Sequence, residues 1–141
     1  ERGYHIEFIE KQKLLSRPTS LVESGMYLTP LHNRLRAVGT VELGGLHSEI
    51  SQSRIDYIAR DAKRLLPSLQ DYQNPWLGYR PTMPDCLPVL GRSPKYKNIF
   101  YAFGHNHLGW TLGPTTGKLI TDLICHGSEI NSVYSIDRYL S

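Results

Sequence analysis

The chain has 141 residues, 40% hydrophobic and 21% charged, which is one domain's worth of sequence with enough apolar material for a packed core. Its 16 Lys and Arg against 13 Asp and Glu leave a net charge of +3 with no basic run, so dedicated nucleic-acid binding has no footprint. No stretch approaches the ~20 apolar residues of a membrane span, nothing at the start reads as a signal peptide, and two distant cysteines, Cys86 and Cys125, match neither a zinc nor a disulfide spacing and suit a reducing compartment.

The chain opens at Glu1 rather than Met and runs straight into Gly3–Ile9, whose alternation of bulky and polar residues predicts a half-buried strand. It therefore reads as a piece of something longer. Residues 11–20 are polar and contain Pro18, a loop or hairpin connection. Gly25–Leu31 predicts a second strand and Leu35–Leu43 a third. The three residues His32, Asn33 and Arg34 between them favour an antiparallel hairpin. Ser53-x-x-Asp56 has the form of a helix start, and Ile55, Ile58, Ala62, Leu65, Leu66 and Leu69 make one apolar stripe that Pro67 stops. Trp76–Arg80 predicts a short strand. Four prolines between positions 81 and 94 predict a rigid non-helical passage, and Asn98–Phe103 another strand. A loop over residues 104–113 follows, then a helix expected to begin at Pro114, with Leu119, Ile120, Leu123 and Ile124 as its stripe and Gly127 after its end. The mixture reads as α+β, a mixed or antiparallel sheet with two helices.

Few residues announce chemistry by spacing alone. The glycines at 104, 109 and 113 let backbone amides approach a ligand, and a helix start there offers a positive dipole end. An ordinary strand-loop-helix connection explains the same pattern, and the spacing is not G-x-G-x-x-G. His105 and His107 invite a metal, yet no third ligand stands at a familiar spacing. Arg80, between a strand and Pro81, could clamp a carboxylate through its planar fork; a surface pair with Asp85 is the plainer alternative. Tyr27 could turn a hydroxyl to a ligand or be a half-buried sheet tyrosine. No G-x-S-x-G elbow supports a hydrolase.

Taken together, the motifs resemble a known family. The order RGYHIEF, YLTP, LRAVGTVELGGL, WLGYRPTMPDCLPVLG and NIFYAFGHNHLGWTLGPTTGKLITDLI is similar to the C-terminal part of FAD-dependent D-amino-acid dehydrogenases, within the glycine/D-amino-acid oxidase superfamily. The pairing of G-x-R-P-x-x-P-D-x-x-P-x-x-G with G-H-x-H-x-G-x-T-x-G-P carries the likeness. The resemblance implies that residues 1–79 are the later part of a substrate-binding domain. Residues 80–141 then complete an FAD-binding domain whose N-terminal Rossmann part, a missing partner from the same protein, lies elsewhere. It implies that Arg80 binds the substrate α-carboxylate and that Tyr27 and His107 line the substrate pocket. His107 stands where glycine oxidases place a second arginine. The loop of Gly104, His105, Asn106, His107, Leu108, Gly109, Trp110 and Thr111 would lie beside the FAD ring, its amides facing the flavin edge where charge grows on reduction. The implied reaction is oxidative deamination of a small amino acid to a keto acid, with no catalytic residue and no metal required of this chain.

The expectation is thus a fragment of a cytoplasmic flavoenzyme, with oxygen or a membrane quinone as acceptor and, for a quinone, a peripheral link to the inner membrane. The isolated chain is expected to be inactive and to self-associate through uncovered apolar surface. The alternatives are a stand-alone binding module that kept the fold without the flavin domain, and a metalloprotein using His105 and His107.

Overall fold

The computed structural model describes residues 1–10 and 12–140. Lys11, in the connection expected over residues 11–20, and Ser141, at the end of the tail, lie outside the described residues. The chain divides into two compact units, Glu1–Tyr79 and Arg80–Ser141.

The first unit is a five-stranded antiparallel sheet in the order β2-β3-β4-β1-β5 with one helix on it. Its strands are β1 (Arg2–Ile9), β2 (Thr19–Leu21), β3 (Met26–Leu31), β4 (Arg34–Glu42) and β5 (Tyr72–Tyr79), and its helix is α1 (Gln52–Leu65). Alternation puts Tyr4, Ile6 and Phe8 of β1 on the same face as Met26, Leu28, Leu35 and Ala37. Ile55, Ile58, Ala59 and Ala62 of α1 and Leu69 beyond it close over them, and every one of these side chains is buried. The β3–β4 turn is His32 and Asn33 alone, with Asn33 in the left-handed region at φ 55°, so the hairpin is tighter than the expected three residues.

Four features depart from the sequence pattern. The N-cap is Ser51, two residues before Ser53, and the helix begins at Gln52, because the Ser51 carbonyl accepts from the amides of Arg54 and Ile55. Leu65, assigned to the buried stripe, is exposed because it sits on the last helical residue, past the edge of the sheet-facing surface. Strand β2 forms at the end of the stretch read as connection and one residue past it, its three residues pairing with β3 as an edge. Strand β5 begins at Tyr72 rather than Trp76 and passes through Pro75. An edge strand tolerates a proline at a bulge, and Asn74 at φ 51° makes that bulge between the His5 and Glu7 pairings.

The second unit holds a two-stranded antiparallel ribbon, β6 (Val89–Arg92) with β7 (Phe100–Phe103), and the helix α2 (Gly109–His126). Strand β6 forms within the proline-rich passage read as non-helical, in the residues left free between Pro88 and Pro94. Ser93 closes the ribbon: its hydroxyl accepts from the amides of Lys95 and Tyr96 and from the Tyr101 hydroxyl. Two short 3-10 turns, Ser132–Tyr134 and Ile136–Tyr139, pack against β6. Helix α2 starts at Gly109, five residues before the expected Pro114. Pro114 stands inside the helix and leaves the Trp110 carbonyl without its helical donor. Of α2, only Thr116 is buried. The stripe of Leu119, Ile120, Leu123 and Ile124 is half-buried or exposed, since one two-stranded ribbon is too narrow to cover it.

Candidate functional site

The glycine loop between β7 and α2 is held by side chains that the sequence did not single out for the task. Gly104 has φ +80°, and a Cβ there would lie 2.5 Å from Met83 Cγ, so both the backbone conformation and the methionine packed on it require glycine. Asn106, at φ 53°, is the staple. Its amide donates to the Pro81 carbonyl at 3.3 Å, its Oδ1 accepts from the Met83 amide at 3.2 Å, and its Nδ2 donates to the Cys86 carbonyl at 3.2 Å. A bridge between Thr82 and His105 runs alongside. The segment that begins at Arg80 is thus bonded directly to the loop at 104–106.

The far end of the same segment is clamped by the C-terminal turn. Arg138 contacts Asp85 with Nε to Oδ2 at 2.6 Å and donates to the carbonyls of Leu87 at 2.8 Å and Ser135 at 2.9 Å. The Arg138 hydrogen bonds, with the Tyr139 hydroxyl and the Leu87 amide, hold the Asp85 carboxyl well below the usual carboxylate range. The aspartate that the plainer reading offered to Arg80 is therefore taken up by Arg138.

Side-chain engagement sorts the loop residues. His105 is tied to the buried Thr116 of α2, Nε2 to Oγ1 at 2.9 Å, and Asn106 to the 81–86 segment. What these two present outward is backbone. His107 is exposed, and Trp110 is 98% exposed. Leu108 is the N-cap of α2 and supplies no side-chain acceptor; the first helical bond is from the Leu112 amide to the Leu108 carbonyl. The amides of Gly109, Trp110 and Thr111 thus precede the first helical bond and form an uncapped positive end. Gly109, Gly113 and Gly117 follow at intervals of four along one face of α2. A Cβ on Gly113 or Gly117 would meet nothing within 4 Å, and one on Gly109 only His105 Cβ at 3.8 Å.

Arg80 is half-buried and its carbonyl accepts from the Thr82 hydroxyl. Tyr27 belongs to the first unit, on β3, on the sheet face opposite α1, and is 57% exposed. Beside it on that face, sequence reasoning missed two features. Glu7 is buried and accepts from Arg36 at 2.7 Å and Arg34 at 2.8 Å, and those bonds pull its pKa below the ordinary glutamate value. His5 stacks on Trp76, and burial together with the nearby Arg36 lowers its pKa. The only signal in the sequence was alternation along single strands, which says nothing of strand neighbours. Both cysteines are exposed and free. Among the described residues, no group of three His, Cys, Asp or Glu is placed to hold a metal ion, and no helix is long and apolar enough to cross a membrane.

With this geometry in hand, the likeness to known proteins is specific. The model of the DAO family, described as FAD dependent oxidoreductase, matches residues 1–123, and the chain belongs to that family, whose cofactor is FAD. A D-amino acid dehydrogenase of Paramagnetospirillum magneticum is 36% identical over 123 residues, 84% of this chain and 29% of its own length. A D-amino acid dehydrogenase of Vibrio cholerae is 33% identical over 142 residues, 98% of this chain and 34% of its own length. Glycine oxidase from Geobacillus kaustophilus superposes with a TM-score of 0.79 at 26% identity, over 96% of this chain and 38% of that one. The fold is shared too with L-proline dehydrogenase from P. horikoshii, at a TM-score of 0.83 and 19% identity, over 99% of this chain and 39% of that one. The chain spans about a third of the length of the relatives it matches.

Proposed function

We propose that the chain supplies the substrate-side sheet and one edge of the flavin site of an enzyme that oxidises D-amino acids to keto acids and ammonia. Residues 1–79 serve as the later part of the substrate domain, and residues 80–141 complete the FAD domain. The observation that carries this reading is the staple at Asn106, which bonds the segment led by Arg80 to the loop that opens α2. The second unit then carries both Arg80 and a set of helix-terminal amides, a pairing suited to a carboxylate and to a group that gains negative charge. The names of the dehydrogenase relatives point to the same substrate class.

The residues present fit one edge of the cofactor. The uncapped amides at 109–111 and the bare backbone face at Gly109, Gly113 and Gly117 leave room that side chains would fill, and a flat ring with a carbonyl edge suits it. They do not fit the ADP half, because the chain holds no G-x-G-x-x-G. When bound, FAD supplies the acceptor for a hydride leaving the substrate Cα. Arg80 holds the substrate carboxylate through two N–H donors and fixes which face of Cα is presented. Tyr27 offers a hydroxyl to the substrate, and exposed His107 stands where glycine oxidases place a second arginine. The amides of Gly109, Trp110 and Thr111, which precede the first helical bond, would face the ring's carbonyl edge and offset negative charge there. No residue here acts as general base; the substrate reacts as the neutral amine, and water hydrolyses the imino acid product. The enzyme works in the cytoplasm with oxygen as acceptor or at the membrane surface with a quinone, and oxygen consumption by the purified protein separates the two.

The test is steady-state oxidation of D-amino acids by the full-length protein with Arg80→Ala beside wild type. Losing two charge-assisted hydrogen bonds, about 3 kcal/mol, raises KM on the order of 100-fold while bound FAD stays within the wild-type range. An unchanged KM, or a flavin loss that tracks the KM change, overturns the assigned role. The 141-residue chain alone is expected to purify without stoichiometric FAD absorbance.

A further inference from the structure

The sheet face turned away from α1 carries one continuous row of side chains. Register sets Ser20 beside Tyr27, Tyr27 beside Val38, Val38 beside His5, and His5 beside Trp76. Directly paired residues share a face, so the row crosses all five strands. Tyr27 and Trp76 are large aromatics left 57% and 53% exposed. The His5 and Trp76 rings stack with centroids 4.7 Å apart and planes 19° apart.

Trp76 is held in that pose by its own strand. Gly78, two residues on and on the same face, lies under the indole: a Cβ there would come within 1.9 Å of Trp76 Cη2. The Asn74 bulge just before it re-aims the strand. The glycine of the Gly78-Tyr79-Arg80-Pro81 motif thus makes room for a ring.

Val38 is the aliphatic member between Tyr27 on one side and the His5–Trp76 stack on the other. Its two flanking strands are roughly 9.5 Å apart, which leaves about the width of one aliphatic side chain between the flanking rings. The neighbouring row, Thr29, Arg36 and Glu7, offers the slot little free charge, because Glu7 engages both Arg36 and Arg34. The lining is a hydroxyl, a branched aliphatic and two stacked rings, a surface that favours an apolar group over a charged one.

We propose that this slot, floored by Val38 between Tyr27 and the His5–Trp76 stack, receives an apolar side chain of the amino-acid substrate, and that Val38 sets the size it admits. The assignment rests on the D-amino-acid reading above.

The test compares kcat/KM for D-leucine and D-alanine in the full-length enzyme. A methylene gained or lost in an apolar pocket is worth about 10-fold or more in discrimination. Val38→Phe is expected to lower the D-leucine to D-alanine ratio by about that factor, and Val38→Ala to raise it several-fold. Gly78→Ala, which displaces the opposite wall, also raises it. A flavin-independent readout accompanies these: in a Trp110→Phe background of the 141-residue chain, Trp76 is the sole indole, and Gly78→Ala shifts its emission to the red. An unmoved emission removes the wall and the proposal with it. Ratios unchanged in all three variants of an enzyme that does oxidise D-amino acids overturn the slot and leave the broader reading standing. A wild-type enzyme that oxidises no D-amino acid overturns both.

Discussion

Replacing Asn106 tests whether the staple, rather than loop composition, builds the site. In Asn106→Ala the Met83 amide and the Cys86 carbonyl each lose a partner at 3.2 Å. At about 1 kcal/mol net apiece that is roughly 2 kcal/mol. Alanine must also hold φ 53°, a left-handed conformation that costs about 1–2 kcal/mol more. The total is about 3–4 kcal/mol. Asn106→Gly loses the same two bonds but accepts the backbone, adding only the roughly 0.5–1 kcal/mol of extra unfolded-state entropy. Glycine should therefore be the milder change by about 0.5–1 kcal/mol. Because the chain has two units, a single global unfolding curve can mix their transitions, so the assay is amide hydrogen exchange at Met83, which loses its acceptor in both variants. Exchange should quicken by on the order of 100-fold in Asn106→Ala, and less in Asn106→Gly. Protection at Met83 within threefold of wild type, or a glycine variant worse than alanine, would refute the account.

Further outcomes follow from the charged and titrating groups. Glu7→Gln weakens the pairs with Arg34 and Arg36; since both arginines are partly exposed, the loss should be about 1–3 kcal/mol at pH 7, read by amide hydrogen exchange in the core strands of the first unit. The Glu7 pKa is lowered in the fold, so its contribution is complete above its ordinary value of 4.5 and fades as pH falls through and below it. The gap between wild type and Glu7→Gln should close toward pH 3, and a gap that widens contradicts the ion pair. His5 also has a lowered pKa, with the opposite charge logic: the fold prefers it neutral, so stability falls as pH drops below 6.5. An imidazole titration by NMR with a midpoint above 6.5 would contradict this burial. Arg138→Ala frees Asp85 and the Leu87 carbonyl, and limited proteolysis should then cut residues 81–88 faster; unchanged cleavage means the C-terminal turn does not hold that segment.

Much of the architecture could be read one strand at a time. Alternation marked β1, β3 and β4, and a 3.6-residue stripe marked α1, because each of these buries one face against a common core. The paired motifs around Arg80 and Gly104 carried the family, since they stand close enough in the chain to be seen together. Where local rules failed, a distant contact had won. Pro114 is a good first residue of a helix, yet α2 starts at Gly109, because the turn pinned at Asn106 brings Leu108 into place to accept from Leu112. Asp85 pairs with Arg138 across 53 positions of sequence, a partner no spacing rule proposes.

Length and charge suggested one ordinary domain. The chain is instead two compact units meeting at Tyr79 and Arg80, the second with a helix that buries only Thr116. By itself the sequence determined the type of β1, β3, β4 and the two helices, and the family. Tertiary structure alone decided that Tyr27, Val38, His5 and Trp76 form one row, because strand order and register are set by which faces bury together, and a shift of one residue would have turned each to the opposite side.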